Sequence, residues 1–301
     1  MTARGFALVA AVALAGALTA CGTVAGTGTP SGSASGSASA SASSASPTGR
    51  SQDATALVGS WLVTDATGAE PGTVLRIADD LSLWQSCGYL MGSWRASAQG
   101  LFTGHLDGGD GSCFGKGQRD PTPAWLARVT RFATDGDGAV LLASDGSVVA
   151  RLSPGGKPTP GPHILPSLAD PPVLTARLAQ ALAAPAPLPS TYTPATRAQL
   201  LGAWITVEPR PSGSIQRMDP GITFVDDGSY RATDGCNGTV GRWTADDAGA
   251  FLATGGFSTL IGCDTVDVPQ FAQQATWAAI DDGVLVLIDR TGHETGRLRR
   301  P

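Results

Sequence analysis

Charge is scarce in this chain, and so are aromatic rings, histidines and long apolar runs. Charged residues make up 15% of the 301 residues, aromatic residues 6%, and there are 3 His. The net charge is −5, and the acidity is shared: residues 53–152 carry 7 basic and 11 acidic side chains, residues 196–301 carry 9 and 13. Neither half hides a basic module, which excludes the electrostatic footprint of a nucleic-acid binder. There is no Cys-x-x-Cys and no Cys/His cluster, so zinc and thiol redox chemistry lack support. No metal, cofactor or catalytic residue is expected, and the chain is read as a non-enzyme.

Glycine and proline, by contrast, are plentiful, at 40 and 21 residues. An N-terminal apolar run from Phe6 to Ala20, preceded by Arg4, is too short for a permanent bilayer span but fits a signal peptide. It ends in Leu18-Thr19-Ala20-Cys21, which resembles the lipobox of bacterial lipoproteins. That resemblance implies cleavage before Cys21, acylation of its thiol, and anchoring on the extracytoplasmic face of a bacterial cell membrane. Two or more acyl chains hold a protein stably where one is marginal. Residues 1–20 are thus read as the signal peptide and 21–54 as a low-complexity tether. Its Gly/Ser-type coil spans roughly 30 Å root-mean-square.

The remaining chain reads as a duplication. "LVGSWLV" at residues 57–63 returns as "LLGAWITV" at residues 200–207, and "QSCGYLMGSW" at 85–94 returns as "DGCNGTVGRW" at 234–243. A second cysteine follows each tryptophan, then a proline and an aromatic, then two apolar runs ending in Arg-Leu. Domains are expected over 55–152 and 196–301, with a Pro-rich linker at 153–195 in which residues 173–184 form a brief helix. Trp125, Val129 and Phe132, like Phe271, Ala275 and Ala278, recur at i, i+4, i+7, which predicts one buried helical stripe per copy. Trp61, Trp94, Trp204 and Trp243 hold the same places in both copies and are expected to fill cores.

With Cys21 assigned to lipid, Cys87, Cys113, Cys236 and Cys263 remain. In an oxidising compartment they read as two disulfides, and the repeat favours Cys87–Cys113 with Cys236–Cys263. Each closure is worth about 3–4 kcal/mol in the chain-entropy model.

The second copy resembles the META domain family of heat-shock-associated bacterial lipoproteins, through Gly235-Cys236-Asn237, the stretch Ser258 to Cys263, "PQF" and the final hairpin. The first copy departs from the pattern, with Ser86-Cys87-Gly88 at the turn. The resemblance implies an α+β unit of mostly antiparallel strands with one helix. The residues agree: each copy is expected to form a curved sheet or partial barrel with a disulfide.

Other constellations are weaker. Ser258, Asp264 and His293 have no parallel in the first copy, "GSCFG" at 111–115 only mimics a nucleophile elbow, and His163 sits in the linker. "DGDG" at 135–138 and "DDG" at 281–283 lack the spaced oxygens of a calcium loop and read as turns. Asn237-Gly238-Thr239 spells a sequon but reads as a tight turn. The expected function is a lipid-anchored, non-enzymatic envelope protein that binds another surface component or stabilises an assembly. The alternative is a small-ligand carrier or inhibitor module binding at the open end of each β unit, for which a pocket of roughly 300 Å³ or more is needed. The membrane is the expected partner through the anchor; nucleic acid is not.

Overall fold

Alternation of apolar and polar residues sets the strands. In β1 (Gly59–Thr64) Trp61 and Val63 point inward while Leu62 and Thr64 face out, the period-two pattern of a sheet with one buried face. The structure is a computed structural model that describes residues 52–114, 120–162, 164–208, 218–259, 261–262 and 265–301. The signal peptide, Cys21 and all but the end of the tether lie outside those residues, as do Cys263, Asp264, Gly115 and His163.

After β1 come β2 (Val74–Ile77), β3 (Leu81–Gln85), β4 (Gly88–Ala96) and β5 (Phe102–Gly109). A single helical turn, α1 (Ala124–Ala127), leads into β6 (Arg131–Asp135), β7 (Gly138–Leu142) and β8 (Val148–Pro154). The linker contributes α2 (Ala176–Leu182) and β9 (Thr193–Pro194). The second half opens with α3 (Arg197–Leu200) and continues through β10 (Gly202–Thr206), β11 (Gly221–Phe224), β12 (Ser229–Thr233), β13 (Gly238–Ala245) and β14 (Phe251–Ala253). Helix α4 (Val268–Gln274), β15 (Ala275–Asp281), β16 (Val284–Asp289) and β17 (Glu294–Arg299) complete it.

All named strand pairs are antiparallel, and they form two sheets with the same order. The first runs β5-β4-β3-β2-β1-β8-β7-β6 and the second β14-β13-β12-β11-β10-β17-β16-β15-β9. Each curls into a partial barrel: Leu101 beside β5 bridges Arg131 of β6, and Ala250 beside β14 bridges Trp277 of β15, the strand next to the terminal β9. Matching details recur. The Trp61 and Trp204 indoles donate to the carbonyls of Leu57 and Leu200, both at 2.8 Å. The Trp94 and Trp243 indoles donate to Ala78 (2.8 Å) and Val225 (3.0 Å). Arg151 meets Asp135 at 3.1 Å and Arg297 meets Asp281 at 3.0 Å. All four tryptophans are buried, each among the apolar side chains of its own half.

The helical stripe read from sequence is shorter than expected. Helix α1 stops at Ala127, so Val129 lies beyond it and Phe132 lies in β6; likewise Ala275 and Ala278 belong to β15. Helix and strand feed one core in succession, and Trp125, Val129 and Phe132 are all buried. Burial therefore mimicked a helical period across a helix–strand junction.

The linker is packed along much of its length. Ile164 and Leu168 cover Val74 and Trp84 on the outer face of the first sheet. Helix α2, N-capped by Thr175 Oγ1 on the amide of Leu178 (3.1 Å), pushes Leu178 and Leu182 into the first core. Leu188 and Tyr192 then lie on the outer face of the second sheet beside Trp277, Val286 and Ile288, and β9 extends that sheet by pairing with β15. At the other boundary, the amide of Gln52 donates to Ala98 (2.8 Å) and Asp53 caps the turn Ala54–Leu57, so residues 52–54 belong to the fold rather than to the tether. Among the described residues no helix is long and apolar enough to cross a membrane.

Candidate functional site

The two halves meet through equivalent parts. Arg95 follows Trp94 in β4, and its guanidinium donates to the carbonyls of Gln273 and Ala275 (the latter at 2.8 Å), where α4 passes into β15. Arg242 and Thr244 flank Trp243 in β13 and reach the carbonyls of Ala127 and Thr130 (the latter at 3.3 Å), where α1 passes into β6. Each half thus presents the strand carrying its Gly-x-Trp, Trp94 or Trp243, to the helix–strand junction of the other. Such reciprocity is the signature of an isologous interface. Ser93 adds a hydrogen bond to the Gly255 carbonyl at 2.6 Å.

Where this junction meets the linker helix there is a cavity of about 600 Å³. Trp94, Arg95 and Ala96 of β4 form one wall, Arg177, Leu178, Ala181 and Leu182 of α2 a second, and Gln273, Gln274, Thr276 and the turn Asp289–Thr291 a third. The linker is stitched across it: Arg290 donates from Nη2 to the Ala183 carbonyl (3.0 Å), its own carbonyl accepts from the amide of Ala186 (2.8 Å), and the Trp277 indole donates to Ala186 (2.8 Å). Neither half alone encloses this space.

Its charges are unevenly satisfied. Asp79 accepts from Arg177 at 3.3 Å, and Asp289 accepts from the amides of Thr291 and His293 and the Thr291 hydroxyl. Those bonds hold the Asp289 carboxyl below its ordinary range, against the opposing effect of burial. Arg95 and Arg290 form no ion pair with a carboxylate in the described residues. Burial lowers the Arg95 guanidinium to about 10, and repulsion from Arg290 adds to the effect. Arg290 Nε and Thr276 Oγ1 are buried without a hydrogen-bond partner. Unmet donors of this kind are uncommon in native interiors.

The cysteines lie elsewhere. Cys87 and Cys113 are joined, with Cα atoms 5.1 Å apart, and tie the β3–β4 turn to the segment after β5. Cys236 is also disulfide-bonded. The turn Gly235-Cys236-Asn237 is a connector: Asn237 Nδ2 donates to Asp234 (2.8 Å) and the Ile261 carbonyl (2.9 Å), while Oδ1 accepts from the Thr259 hydroxyl (2.7 Å) and the Ile261 amide (2.8 Å). In the first copy the equivalent turn is held differently, by Glu70 accepting from Ser86 and by Ser112 donating to the Cys87 carbonyl.

No family model, curated protein or solved structure matches the chain. The geometry therefore carries the functional reading.

The other candidates are placed as follows. Ser258 donates to the Thr259 carbonyl, and His293 sits in the β16–β17 turn beside Thr291 Oγ1 at 2.9 Å, each engaged locally. Asp135–Gly138 and Asp281–Gly283 form the β6–β7 and β15–β16 hairpin turns. His105 is buried in β5, with Nδ1 3.8 Å from Asp120 and Nε2 unpartnered. Sequence reading missed the cavity because its walls come from three distant segments. Arg95 and Arg290 there bond backbone carbonyls, which leave no residue pattern.

Proposed function

We propose that this chain is a lipid-anchored, non-enzymatic binding protein of the bacterial envelope, built from two copies of a META-like module, with its ligand site in the cavity between them. The observation that carries the reading is that cavity: about 600 Å³, walled by both halves and α2. Its size lies in the range of small-molecule sites. The lipobox-like Leu18 to Cys21 and the Ser/Gly-rich tether support anchoring through acylated Cys21. The matched strand orders and the paired indole bonds support duplication. In this reading Cys236 pairs with Cys263, as Cys87 pairs with Cys113. The site differs in place from a calyx in each β unit, since it lies at the junction.

Native mass spectrometry of the full chain released gently from membranes tests the site. A small molecule is expected to co-purify and to be lost in Ala181→Trp, which fills the cavity from an exposed position on α2. A ligand-free protein, or an adduct that survives Ala181→Trp, contradicts the reading.

A second reading rests on a different surface. Phe257 is 69% exposed and Met91 39%, and both lie against Gly108. Such exposed apolar groups suit a protein partner in the envelope. A photo-cross-linker at Phe257 on intact cells is expected to capture one defined partner; no capture counts against it.

A further inference from the structure

We propose that the junction cavity takes an amphiphilic anion, a carboxylate or phosphate head on an apolar body. This rests on the reading of the cavity as the ligand site and names the class of molecule that fits it. Three guanidiniums, those of Arg95, Arg177 and Arg290, belong to residues that line the cavity, and a guanidinium can only donate. The ligand must therefore bring an acceptor.

Charge selects the acceptor. Arg95 bonds only the carbonyls of Gln273 and Ala275, and Arg290 only that of Ala183. Both carboxylates in the walls are engaged elsewhere, Asp79 with Arg177 and Asp289 within its own turn. Arg95, Arg177 and Arg290 outnumber Asp79 and Asp289 in the walls, and a neutral ligand or water leaves that excess of positive charge in place. An oxyanion removes it and matches the guanidinium fork. The remaining walls call for an apolar body: Trp94, Ala96, Leu178, Ala181 and Leu182 line the same space.

The test is titration calorimetry on the full chain below micelle-forming concentrations. The probes are dodecanoate, dodecyl phosphate, dodecanol, acetate and inorganic phosphate. Both long-chain anions are expected to bind at least about tenfold more tightly than dodecanol, and the two head groups alone more weakly than either. The ratio of dodecanoate to dodecyl phosphate reports which head the site prefers. Arg177→Gln removes a guanidinium from an exposed side chain of α2, so it leaves folding intact. It is expected to weaken both long-chain anions by about tenfold without changing dodecanol. Arg290→Gln is expected to weaken the anions further.

Equal binding of dodecanol and dodecanoate overturns the proposal, as does unchanged anion affinity in both Arg177→Gln and Arg290→Gln. If dodecanol matches the anions and Ala181→Trp abolishes both, the cavity stands as a ligand site and only the anionic class falls. If Ala181→Trp leaves anion binding intact, the site reading falls with it. Absence of binding by every amphiphile refutes the class, while the co-purified ligand separately decides the site.

Discussion

Gly92 and Gly241 stand two residues before Trp94 and Trp243, at places where a methyl group has no room. A Cβ on Gly92 would lie 1.9 Å from the His105 carbonyl oxygen and 2.7 Å from Leu106 Cα, and one on Gly241 would lie 2.6 Å from the Tyr230 ring. The repeated Gly-x-Trp thus records a close approach of backbone or ring across the sheet, followed by an indole that fills the core. Gly92→Ala is expected to cost about 1–3 kcal/mol, because backbone must move to admit the methyl. Gly238→Ala, whose new methyl meets nothing nearer than 3.9 Å, is expected to stay within about 0.5 kcal/mol. Urea unfolding of the two variants measures both. This pair of glycines was legible because sterics leave a residue type behind. The donors of Arg95 and Arg242 were not, because carbonyl oxygens accept them whatever side chains those positions bear.

Turns and strands show how one element secures another. Asn237 joins the β12–β13 turn to the segment before α4 through both ends of its amide, and it is 9% exposed. Replacing it with Ala strands several buried partners, and the expected loss is about 2–4 kcal/mol by thermal or urea unfolding. The first copy places Gly88 in the matching position and anchors its turn through Glu70 and Ser112 instead, so the same substitution has no counterpart there. Strand alternation, the Trp landmarks and the brief helix of the linker could be read from pattern. The length of α1 could not, since Trp125, Val129 and Phe132 face one core from a helix, a loop and a strand. Linker packing was equally hidden: its prolines preclude regular structure without saying which surface receives Ile164, Leu188 or Tyr192.

At the scale of the molecule, the described residues form one compact unit with two apolar interiors and a junction that combines arginine–carbonyl bonds with an apolar contact of Leu101 against the second half. His105 senses that junction. Burial lowers its imidazole from the ordinary 6.5, Asp120 and Asp107 oppose this, and Arg242 from the other half reinforces it. The unfolded chain binds a proton near that ordinary value while the folded chain resists it. Stability is therefore full above it and is lost as pH falls from it toward the folded value. Asp107, raised by burial, contributes with the opposite sign, so the comparison must be with a variant. Stability of wild type measured from pH 7 to pH 5 is expected to fall more steeply than that of His105→Gln; parallel curves contradict the assignment.

The architecture of two alike β units was visible in the repeat, but the site arises from what joins them, and joining leaves little trace in sequence. A crystal structure of the full chain purified without delipidation tests the central claim most directly. The account predicts an organic molecule between β4, α2 and the Asp289–Thr291 turn, with an acceptor toward the guanidiniums of Arg95, Arg177 and Arg290. A cavity holding only ordered water, or closed by α2 settling onto β4, contradicts it.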